Sequence, residues 1–138
     1  IVVDLAKEHN IQCMRYPREK LQRYMVTSVS HFSRVAELCV LNTLSKSPHT
    51  EGLKSPNEML GFFFGGNLGK QNLLKVLGNL ETGKTYELMC HPGKQDATSM
   101  YAHWNYNWQK ELDAIQDVDV RNFLIENRIK LISYKDLD

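Results

Sequence analysis

Thr85-Tyr86-Glu87-Leu88-Met89-Cys90-His91-Pro92-Gly93 is a strand-compatible run over residues 85–90, followed at once by a histidine, a proline and a glycine. Before it, Leu73, Leu74, Val76, Leu77 and Leu80 recur at helical spacing and close on the turn Glu81-Thr82-Gly83-Lys84. After it, Tyr106 to Ile115 reads as a helix, and Val120, Phe123, Leu124 and Asn127 as another that Asp119 can cap. Ile129 to Ser133 reads as a last short strand. Helices alternating with strands predict an α/β chain with a mainly parallel sheet.

The amino-terminal side continues the pattern. Val2, Leu5 and Ala6 share one face of a short helix that breaks at His9-Asn10, and Ile11 to Tyr16 is a strand candidate stopped by Pro17. The clearest helix runs from His31 to Leu44, with Phe32, Val35, Ala36, Cys39, Val40 and Leu44 at three-and-four spacing. Leu60 to Gly69 is both aromatic and glycine-rich, and its Phe62-Phe63-Phe64 run suits core packing better than a ligand platform. No internal repeat, low-complexity tract or domain boundary is visible, so residues 1–138 read as part of one domain. The chain starts without Met and already in helical register, which suggests numbering that begins inside a larger protein.

Composition narrows the classes. A chain of 138 residues with 42% hydrophobic and 24% charged residues can bury a core, which excludes disordered and fibrous classes. Seventeen Lys and Arg against 16 Asp and Glu leave a formal charge of +1, too little for a nucleic-acid surface. No apolar run reaches membrane-spanning length. Cys13, Cys39 and Cys90 are odd in number and widely spaced, which argues against a disulfide framework and fits a reducing, cytoplasmic setting.

Among chemically capable residues, His91 stands at the expected carboxyl end of a strand, where α/β folds collect ligands, and an imidazole there can exchange a proton near neutral pH. A structural strand-end histidine is the plainer alternative. Arg15, just before Tyr16-Pro17, can orient a carboxylate; an ordinary surface ion pair is its plainer reading. Tyr101 and Trp104 lie in an irregular segment and can line a carbohydrate groove or pack an interface, while Trp108 belongs with the helix core. Asp96 can reach substrate or simply be solvated. The histidines show no metal-ligand spacing, and the glycines match neither a dinucleotide nor a Walker loop. Two facing carboxylates for glycosidase chemistry cannot be nominated.

Met14-Arg15-Tyr16-Pro17-Arg18-Glu19, Gly61-Phe62 to Gly69, residues 85–93, and the run from Lys110-Glu111-Leu112 through Val120-Arg121 and Ile129-Lys130-Leu131-Ile132-Ser133 to Tyr134-Lys135-Asp136-Leu137 together resemble the YdjC-like carbohydrate deacetylases. The resemblance covers nearly the whole chain, and its most specific piece is Glu87 to Gly93. It implies a partial (β/α)-barrel whose amino-terminal half is missing here, with the family's metal ligands and general base upstream. It implies hydrolysis of the N-acetyl group of an amino sugar or chitooligosaccharide, aided by a divalent metal, magnesium or zinc, with His91 as general acid and Arg15 orienting the base. Tyr101, Trp104 and Asp96 are the substrate-side candidates, and homo-oligomerisation is a further expectation. The alternative is a catalytically inactive carbohydrate-binding or interaction domain.

Overall fold

Helix α1 (Val2–Glu8) forms as the apolar spacing requires, but only Ala6 is buried. It ends where Asn10 adopts φ 54° and the Ile11 amide closes back on the Ala6 carbonyl at 2.8 Å, a left-handed cap that asparagine tolerates. The computed structural model describes residues 1–27, 31–45, 52–94, 98 and 100–137. They gather into two compact units: Ile1–Phe63 with Gly83–Glu87 and Leu131–Asp138, and Phe64–Thr82 with Leu88–Lys130.

In the first unit the strand expected at residues 11–16 shrinks to one parallel bridge between Cys13 and Lys54. The Lys54 amide donates to Gln12 and the Met14 amide to Lys54. The next rung of a parallel ladder would need the amide of residue 56, which is proline and has none. Helix α2 (Phe32–Leu44) matches its expected span, yet the residue it buries is Leu38, while Phe32 and Leu44 are 75% and 82% exposed. The apolar stripe was visible in the sequence, but the core-facing side is the one carrying Leu38 and Asn42. The Asn42 side chain accepts from the Glu19 amide and donates to the Glu19 carbonyl.

Strands β1 (Glu58–Leu60) and β2 (Tyr86–Leu88) form a two-stranded parallel sheet, and Met59 and Leu60 are buried. Glu19 is fully buried. Its Oε1 accepts the Gly61 amide at 2.8 Å and its Oε2 the Phe63 amide at 2.9 Å, so the carboxylate receives backbone donors that the short sheet leaves over. Burial pushes the Glu19 carboxyl up, and these backbone bonds oppose it.

The strand expected at 129–133 is not formed. Leu131 and Ile132 are exposed, and Ser133 instead takes two bonds to the Asp136 carboxylate, opening the 3₁₀ turn Tyr134–Asp136. Strand propensity without a ladder partner does not make a strand.

In the second unit, α3 (Lys70–Leu77), α4 (Trp108–Gln116) and α5 (Val118–Glu126) pack against one another around Leu73, Val76, Ala114 and Val120. The cap of α5 is Asp117, whose carboxylate accepts the Asp119 amide at 2.8 Å, rather than Asp119 itself. Asp119 sits in the first helical turn and, with Asp117, pairs with Lys70. Among the described residues this is the expected α/β class, with five α-helices and the small parallel sheet. No helix among them is long and apolar enough to cross a membrane.

Glutamine cannot replace Glu19, because its amide nitrogen would face one of the two backbone donors. Glu19→Gln is expected to lower stability by about 2 to 3 kcal/mol in urea unfolding at neutral pH. Glu37→Gln, at an exposed pair with Arg34, is expected to change stability by less than about 0.5 kcal/mol. Equal effects would remove the role given to Glu19.

Candidate functional site

His91 leaves the end of β2 and belongs to the second unit. Its backbone amide donates to Oε2 of Glu111, a fully buried residue of α4. The other oxygen, Oε1, accepts the Leu68 amide at 2.9 Å. One carboxylate therefore fixes both the glycine-rich stretch before α3 and the turn that carries the histidine. The His91 Nδ1 is buried without a hydrogen-bond partner among the described residues, 3.9 Å from Glu111 Oε2. About a third of the side chain, 34%, is exposed. Burial pushes the neighbouring Cys90 thiol up, and the Glu111 charge adds to the effect, so this sulfur is held as the thiol and is a poor nucleophile.

Aromatic rings continue from the imidazole. Tyr106 meets His91 edge-on with centroids 4.9 Å apart, Trp104 meets Tyr106 at 5.7 Å, and Tyr101 lies against Trp104 at 4.8 Å. Tyr101 and Trp104 are about half exposed, and Trp108, half-buried, begins α4. The segment is shaped by local bonds. Asn105 adopts φ 54° after the 3₁₀ turn Ala102–Trp104, the Asn107 amide donates to Gly66, and the Gly93 amide to Trp108. These bonds delay the helix expected from Tyr106 until Trp108. Gly66 has φ +76°, and a Cβ there would lie 2.3 Å from the Tyr106 ring, so glycine is what allows the ring to settle against the loop.

Arg15 belongs to the first unit. Its Nε donates to Glu87 Oε1 at 2.6 Å and its Nη2 to the same oxygen, while the Tyr134 hydroxyl donates to Oε2. The arginine is half exposed, whereas the Glu87 side chain is 14% exposed. Burial raises the Glu87 carboxyl, but the Arg15 and Tyr134 hydrogen bonds outweigh it and hold the group below its ordinary value. Burial first, then the bond to Glu87, pushes the Tyr134 phenol up to about 12. Arg15 thus has an ion pair inside the chain, and each candidate catalytic residue is tied to a carboxylate of its own unit.

Asp96 lies outside the described residues. Among those described, no group of three or more His, Cys, Asp or Glu is placed to hold a metal ion, so these residues do not fit a metal centre of their own. Sequence reasoning overlooked Glu111, Glu87 and Tyr134 as parts of these clusters. For Glu111 the signal was present: it stands three residues from both Trp108 and Ala114, an acid on the inward stripe of a helix. Tyr134 carries no comparable signal, since its partner lies 47 residues away.

The family model described as YdjC-like protein matches residues 1–126. A carbohydrate deacetylase of Clostridium beijerinckii is 28% identical over 142 aligned positions, covering 99% of this chain and 46% of the relative. A carbohydrate deacetylase of Thermoanaerobacter pseudethanolicus is 34% identical over 85 positions, covering 60% of this chain and 33% of the relative. The chain spans less than half the length of these curated relatives. No solved structure matches it significantly.

Gly66→Ala combines left-handed backbone with a ring clash and is expected to cost about 2 to 4 kcal/mol in chemical denaturation. Gly83→Ala, at φ +81° with open space around it, is expected to cost about 1 kcal/mol. The reverse order would contradict the packing of Tyr106. For Glu87, a folded value below the unfolded one means stability that is present above the ordinary value of 4.5 and is lost as pH falls through the folded value. The stability advantage of the native chain over Glu87→Gln, measured at a series of pH values, is therefore expected to shrink on acidification. An advantage that grows as pH falls would invert the sign.

Proposed function

Since the chain belongs to the YdjC-like family, we propose that the whole protein carrying it removes the acetyl group from the nitrogen of an amino sugar or chitooligosaccharide. The observation that carries the reading is a half-exposed ring platform, Tyr101 and Trp104, leading through Tyr106 to a partly exposed imidazole backed by a buried carboxylate. The names of the two curated relatives support the same chemistry.

In this proposal the sugar rests on Tyr101 and Trp104, whose faces suit the apolar side of a pyranose. His91 gives a proton to the amine nitrogen as the acyl C–N bond breaks, and acetate departs. Arg15, held by Glu87, orients an acidic partner that serves as base, and Asp96 is a further substrate contact. The proposal includes a divalent cation, magnesium or zinc, with ligands upstream of this chain, a (β/α)-barrel as the complete architecture and a cytoplasmic setting.

A second reading, association without catalysis, is favoured by α2. Phe32, Val40 and Leu44 lie at intervals of eight and four residues on it, and each is more than half exposed. A homo-oligomer or an interaction domain would cover such a face.

Acetate release from N-acetylated chitooligosaccharides by the whole protein, with and without added divalent metal, separates the readings. The expected result is release that falls roughly 10²-fold or more in His91→Ala. Absence of release from folded, metal-supplied protein would favour the associative reading, and undiminished release by His91→Ala would remove the histidine from the reaction.

A further inference from the structure

The Glu111 carboxylate does two different things at His91. Oε2 receives the histidine's backbone amide, which fixes where the side chain starts, and the same oxygen faces the ring at Nδ1. Nδ1 is buried and has no hydrogen-bond partner among the described residues, while part of the ring remains exposed. A distance of 3.9 Å exceeds a hydrogen bond, but catalytic contacts are often loose before substrate binds. The Tyr106 ring, edge-on at 4.9 Å, limits how the imidazole can turn.

A neutral imidazole carries one N–H, and its location follows what the other nitrogen meets. Facing a buried anion, Nδ1 is favoured as the protonated nitrogen, because a lone pair there would oppose the carboxylate charge. The other titratable groups beside this pair do not compete for the role: the Cys90 thiol is held protonated, and Tyr106 presents its ring.

We propose that Glu111 is the positioning residue for His91, keeping a proton on Nδ1 and leaving Nε2 as the atom that exchanges a proton with substrate. The proposal rests on the deacetylase reading for its purpose, though not for its test. In the step concerned, the doubly protonated ring loses the proton on Nε2. A new N–H bond forms at the sugar nitrogen as the C–N electron pair returns to it, and the ring is left as the neutral Nδ1–H tautomer facing Glu111. That product is the tautomer the carboxylate favours, so the positioning acts on the transfer itself.

The test is long-range ¹H–¹⁵N correlation of imidazole nitrogens in the ¹⁵N-labelled chain, with His91 assigned by its loss in His91→Ala. In the neutral ring the expected proton position is Nδ1, in contrast to exposed His9, which should favour Nε2 as the free amino acid does. A native His91 protonated mainly on Nε2 overturns the proposal without any variant. Glu111→Gln is expected to move the proton toward Nε2; retention on Nδ1 in a folded variant, checked by the Leu68 and His91 amide signals, also overturns it. In the whole protein the same variant is expected to lower kcat about tenfold with KM nearly unchanged. Nδ1 protonation without deacetylation would sink the functional reading alone, whereas deacetylation that needs His91 but shows Nε2 protonation would sink the positioning alone.

Discussion

Two buried carboxylates meet backbone amides that regular structure leaves unpaired. Glu19 receives Gly61 and Phe63 in one unit, and Glu111 receives Leu68 and His91 in the other. A buried anion is tolerated only when hydrogen bonds replace water, and a buried amide only when something accepts from it. Each requirement answers the other. The stretch from Gly61 to Gly69 can therefore place Phe63 and Leu68 in cores without being helix or sheet along its length.

The same economy of partners shapes the candidate surfaces. Glu87 is occupied by Arg15 and Tyr134, and Glu111 by two amides with an imidazole close by. Both acids are spoken for inside the chain, so the groups left facing outward are the exposed part of His91, the rings of Tyr101 and Trp104, and the half-exposed guanidinium. In the proposed reading, rings beside a candidate proton donor suit an uncharged ligand with apolar faces, such as a sugar, better than a nucleic acid.

Legibility in the sequence followed the range of the interaction. Helices α1 to α5 and β2 were readable because apolar spacing, caps and turns act within a few residues. The segments at 11–16 and 129–133 were misread as strands because a strand exists only through its partner. In one case that partner runs into Pro56, and in the other the segment bonds to its own following turn. On α2 the apolar stripe was legible, but which face is buried was decided by Asn42 engaging the Glu19 backbone.

For the candidate site, the sequence by itself nominated His91, Arg15, Tyr101, Trp104 and Asp96, because residue chemistry and position relative to a strand end or loop are local facts. The pairing of His91 with Glu111 and of Arg15 with Glu87 and Tyr134 came only from tertiary structure. These contacts join residues 20, 72 and 47 positions apart, and no local spacing rule reaches across such distances. Sequence supplied the candidate groups; the fold chose which acid stands behind each, because a carboxylate can leave water only where donors already converge.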